Sequence, residues 1–95
     1  MLKHDEGVTH IRQLMNLGPK SEKVLHDINI KSVDAFLSAD VFDAYKRLYE
    51  KSASGVSLNM LYAMIGAQEN EHWQRIKAER KTEILLHLDD LGIAR

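Results

Sequence analysis

The stretch Leu14–Ile30, LMNLGPKSEKVLHDINI, decides how the rest of the chain is read. It has the form of a helix, a tight Gly-Pro turn, a second helix and an apolar exit. Leu14, Met15 and Leu17 close the first helix, and Gly18 gives the turn a position with no Cβ to clash. Pro19 suits the first turn of the next helix, where its missing N–H would have no intrahelical partner anyway. Val24, Leu25 and Ile28 recur at helical spacing, so one face of that helix is apolar. Asn29 then fits a helix C-terminal turn, because asparagine tolerates the left-handed backbone, and Ile30 anchors the exit.

This arrangement leaves the backbone N–H groups of Gly18, Lys20 and Ser21 at a helix N-terminus with few internal acceptors. Free donors and the helix dipole together favour an anion there, and Lys20 and Lys23 add mobile positive charge. Two readings stand side by side. One is a sequence-independent grip on a nucleic-acid phosphate; the other is an ordinary turn with solvated lysines.

Working outward, the segment before the hairpin is polar, and residues 1–9 are expected to fray. Thr9 is the expected N-cap of the first helix, with Ile11 and Leu14 starting its apolar face. After the hairpin, Ser32 caps a short helix with Val33, Phe36 and Leu37 inward and Asp34 in its first turn. Asp40 opens a further helix, in which Asp43 resembles the second half of a capping box. Val41, Phe42, Tyr45, Leu48 and Tyr49 form its apolar face, and 51–55 is the most flexible-looking connection.

Ser57 caps the most apolar helix, in which Leu58, Leu61, Tyr62 and Ile65 share a stripe widened by Met60, Met64 and Ala67. A helix apolar over most of its circumference is usually central to a fold. It should fade over Gln68–Asn70 into a turn holding His72, Trp73 and Ile76. The segment 77–92 reads as a long last helix with Ile84, Leu85, Leu88 and Leu91 inward and Gly92 as its stop. The expected fold is all-α: a compact orthogonal helical array with a helix-hairpin-helix-like (SAM-like) motif. Its 95 residues make one domain with one core.

Composition narrows the functions. With 44% hydrophobic and 28% charged residues the chain is an ordinary soluble type. It has no cysteine, hence no disulfide framework and no thiolate metal site. No run approaches the roughly 18 apolar residues of a membrane span, and MLKHDEGVTH lacks the apolar core of a signal peptide, so a cytoplasmic location is expected. The net charge is −1, which supplies no global field toward nucleic acid; any binding must rest on a local basic patch and weaken with salt.

The five histidines show no i, i+4 pair, and no carboxylate completes a zinc set, so no metal is expected. Serines stand mostly at helix starts, where capping accounts for them, and nucleotide-binding glycine loops are absent. The chain is therefore expected to be no enzyme and to use neither a cofactor nor a small-molecule substrate. Tyr62, Met64 and Trp73 carry a different possibility, an adaptable apolar surface for a protein partner or a second copy. For Tyr62 and Met64 the competing reading is core; for Trp73 it is a lid over the core edge.

Specific segments carry a resemblance. They are Leu17-Gly-Pro-Lys-Ser-Glu22 with Ile28-Asn-Ile30, Asp43-Ala-Tyr45 with Leu48-Tyr49, Val56-Ser-Leu-Asn-Met-Leu-Tyr-Ala63, Gly66-Ala67, His72-Trp73 and Glu79-Arg-Lys81. In this order they resemble the C-terminal domain of the TfoX (Sxy) family of bacterial competence regulators. The resemblance implies a helix-hairpin-helix-like all-α fold and a role around DNA uptake and competence-gene control. Beside it stands the reading of the turn itself, weak and non-specific DNA contact at Gly18, Lys20, Ser21 and Lys23. The alternative is a dimerisation or protein-interaction module that binds no nucleic acid. Two positions depart from the stronger DNA-binding hairpins: Asn16 stands where a first glycine is common, and Glu22 lies where it would repel a phosphate.

Overall fold

A computed structural model describes residues 9–51 and 56–92. The expected fraying start before Thr9 and most of the connection after Lys51 lie outside these residues. Among the described residues the structure is all-α, with no strand. A 3-10 turn, Ile11–Gln13, precedes five helices: α1 Pro19–Asp27, α2 Val33–Ser38, α3 Val41–Lys51, α4 Leu58–Glu69 and α5 Trp73–Asp90.

The first expected helix is a correction. Ile11–Gln13 makes only one tight turn, and Leu14 already has extended backbone (φ −73°, ψ 150°). Leu14 and Leu17 do point into the core, but Met15 is 41% exposed. Leu14 and its neighbour Met15 point to different sides once the helix has ended. The turn is held by Gln13 rather than by Thr9: its Oε1 accepts from the N–H groups of Thr9 (2.8 Å) and His10 (2.9 Å).

The other ends follow local chemistry. Ser32 Oγ accepts from Ala35 N–H at 3.0 Å, and Asp40 Oδ1 accepts from Phe42 N–H at 2.9 Å. Asp43 completes no box with Asp40; its carboxylate faces Arg47 at 3.7 Å. Asn29 adopts φ 69° beyond α1, and Ile30 N–H reaches back to Leu25 O at 2.9 Å. Asn70 (φ 59°) does the same after α4, with Glu71 N–H donating to Gly66 O at 2.8 Å. Gly92 at φ 79° follows α5.

Helix α4 is the axle. Every residue from Leu61 to Ala67 is buried, and the helix packs against both α5 and α3. Helix α1 packs against the 3-10 turn and α3, so the hairpin sits on one flank of the core. Gln68 ties in the short helix, its Nε2 donating to Phe36 O and Ala39 O at 2.8 Å each. Phe36 O also accepts from Ala39 N–H at 3.1 Å, while Ala39 O, just past the helix, takes Gln68 as its donor. No described helix is long and apolar enough to cross a membrane.

Candidate functional site

The candidate site is the N-terminus of α1. Gly18 precedes the helix, Pro19 occupies its first turn, and Glu22 N–H donates to Gly18 O at 2.9 Å, closing the first helical bond. The N–H groups of Gly18, Lys20 and Ser21 have no acceptor among the described residues. Lys20 and Lys23 are exposed and without an ion-pair partner among these residues; Gly18 and Ser21 are half-buried. All four predicted contact residues thus lie on the first turns of one helix.

The steric reading of Gly18 is corrected. Its backbone is extended (φ −138°, ψ −170°), and a Cβ there would meet nothing within 4 Å. The turn bends instead at Asn16, whose φ is 73°. What Gly18 contributes is an unshielded backbone beside the free donors.

Glu22 is the second correction. It is buried, 6% exposed, and its Oε1 accepts from Arg12 Nε (2.9 Å) and Nη2 (2.8 Å). Its Oε2 accepts from Arg12 N–H at 3.3 Å. The Arg12 guanidinium therefore holds the Glu22 carboxyl below its ordinary range, against a smaller opposing effect of burial. The carboxylate points at the 3-10 turn and is neutralised there, so it does not confront an anion at α1.

The sequence marks Asn16 only as a departure from a glycine; the fold gives it partners far along the chain. Its Nδ2 donates to Glu71 O at 2.8 Å and Ala63 O at 3.4 Å; its Oδ1 accepts from Trp73 N–H at 3.1 Å. Gly66 makes room for it: a Cβ on Gly66 would lie 2.5 Å from Asn16 Nδ2 and closer still to Glu71 O. An asparagine before a Gly-Pro turn signals a left-handed residue. Nothing local signals partners nearly 60 residues away.

The residues of the alternative surface fall differently. Tyr62 is 1% and Met64 0% exposed, so neither offers a surface and the core reading holds for both. Trp73 is half-buried against the core edge, with the exposed His72 ring at a centroid distance of 6.1 Å. Among the described residues no group of three or more histidines or carboxylates converges on a cation position.

The family model of the TfoX C-terminal domain matches residues 8–88. The chain belongs to this family. A relative is the DNA transformation protein TfoX1 of Aliivibrio fischeri (strain ATCC 700601 / ES114), 24% identical over 75 residues. That match covers 79% of this chain and 36% of the relative, so the chain spans about a third of the relative's length. The fold also recurs in the crystal structure of an uncharacterised protein from Listeria monocytogenes. The TM-score is 0.74 at 25% identity, over 90% of this chain and 98% of that one. This membership agrees with the resemblance carried by the sequence segments.

Proposed function

We propose that this TfoX C-terminal domain is a non-enzymatic regulatory module that grips the nucleic-acid backbone, weakly and without sequence preference, at the start of α1. The observation that carries the reading is the set of N–H groups at Gly18, Lys20 and Ser21 that have no acceptor among the described residues, flanked by exposed Lys20 and Lys23. Glu22, the one carboxylate among them, is tied down by Arg12. Donors at a helix N-terminus suit a phosphate oxygen, and two lysines supply the charge that holds it. With a net charge of −1 the affinity of one such site is low, and a second copy would raise it by avidity. This role belongs in the cytoplasm, with the DNA.

The test is a fluorescence-anisotropy titration of labelled duplex and single-stranded DNA at low and moderate salt. With about two phosphate contacts, log K for duplex should fall with log salt at a slope of roughly −2. Lys20→Glu should abolish the binding. No binding at low salt would sink the reading, and salt-tolerant association with a protein or a second copy would replace it with the interaction-module alternative.

A further inference from the structure

We infer that Asn16 is the positioning residue of the hairpin, and that the corner between α4 and α5 sets the grip through it. This rests on the phosphate-binding reading of α1. Asn16 lies two residues before Gly18 and is the point where the chain bends into α1. Its side chain leaves the hairpin and bonds the opposite end of the fold's main helix pair: Ala63 O within α4, Glu71 O in the corner, and Trp73 N–H at the head of α5.

These bonds do separate jobs. Trp73 N–H belongs to the first turn of α5 and has no intrahelical acceptor, so Asn16 Oδ1 acts as a cap supplied from 57 positions away. Glu71 O and Ala63 O fix the amide plane from the other side, and the bare Gly66 backbone lets that plane approach. The φ of 73° at Asn16 is a conformation that glycine adopts at least as readily. A residue chosen for the bend alone would be glycine. Asparagine adds the three bonds, and with them a fixed angle between the corner and the donors at Gly18, Lys20 and Ser21.

The variant that separates bend from bonds is Asn16→Gly, which keeps the positive φ and deletes the amide. Leu88→Ala is the control: it removes buried bulk at the far end of α5, about 22 Å along the axis from Trp73. The expected result is a DNA affinity about tenfold lower in Asn16→Gly, the loss that follows when one charge-assisted hydrogen bond is misaimed, and near wild type in Leu88→Ala. Amide hydrogen exchange needs no DNA. In Asn16→Gly the Trp73 and Leu17 amides should exchange faster while those of Ile84 and Leu88 stay protected. Wild-type affinity in Asn16→Gly overturns the inference, as does equal loss in both variants or a uniform rise in exchange. Failure of the wild type to bind DNA removes the phosphate reading and Asn16's part in it. The exchange pattern then still decides whether the corner holds the hairpin.

Discussion

Glu22 stands between Lys20, Ser21 and Lys23 in the sequence, where a carboxylate would oppose an anion. In the fold it is a structural ion instead, accepting three hydrogen bonds from Arg12. The pair makes a pH prediction. Because Arg12 lowers the folded-state pKa below the ordinary value of 4.5, the unfolded chain takes up the proton first as pH falls. The stabilisation is thus fully present above about 4.5 and disappears as pH drops through the lower folded value. Urea denaturation should show Glu22→Gln less stable than wild type at pH 7, with the gap narrowing below pH about 4 and closing at stronger acid. A gap that does not change with pH would assign the difference to shape rather than charge. Lys20 lies at the same scale: its charge reversal should remove DNA binding and leave the melting temperature nearly unchanged, since its side chain is exposed and unpaired among the described residues.

Elements here are joined by side chains that reach across to other elements' free ends. Gln68 holds Phe36 O in α2 and Ala39 O just past its end, and Asn16 holds the first N–H of α5. The latter contact explains why α5 begins at Trp73 and not near Lys77, as periodicity alone suggested. His72 contributes as well, its Nδ1 accepting from Gln74 N–H at 3.2 Å. Phe36 O keeps the Ala39 N–H as a donor, but Ala39 O has Gln68 as its partner among the described residues, so Gln68→Ala should cost about 1–2 kcal/mol, the penalty for leaving that partly buried carbonyl unpaired. Its mark would be faster amide exchange confined to α2, with α5 unaffected. On the outer side of the core, Arg80 forms three hydrogen bonds to Glu69, which hold the guanidinium's pKa above its ordinary value and join α5 to the end of α4.

At the scale of the molecule, one core runs from Ile11 to Leu88 and α4 crosses its middle. Its Cα radius of gyration, 12.8 Å, is about that of a single-core domain of this length. Met64 tests the core directly, being fully buried at the centre of α4. Placing a charge there with Met64→Asp should unfold the chain, because several kcal/mol of desolvation consume much of a small domain's roughly 5–15 kcal/mol of stability. A circular-dichroism melt and size-exclusion chromatography distinguish this from an interface role, which would leave a folded, helical species of altered size.

The sequence alone determined the all-α class, four of the five helix positions closely, the caps at Ser32 and Asp40 and the stops at Asn29 and Gly92. Each of these depends on residues within a turn or so of one another, or on a 3.6-residue period. It also placed Lys20, Ser21 and Lys23 at a helix start, and the family resemblance was readable in it. Three things were settled only by tertiary structure. The first helix shrank to one turn, Glu22 turned from repelling charge to buried ion, and Asn16 became the tie between hairpin and corner. For Glu22 and Asn16 the physical reason is the same. Arg12 with Glu22 spans 10 positions and Asn16 with Trp73 spans 57, and a hydrogen bond over such separations exists only once the core has brought its partners together.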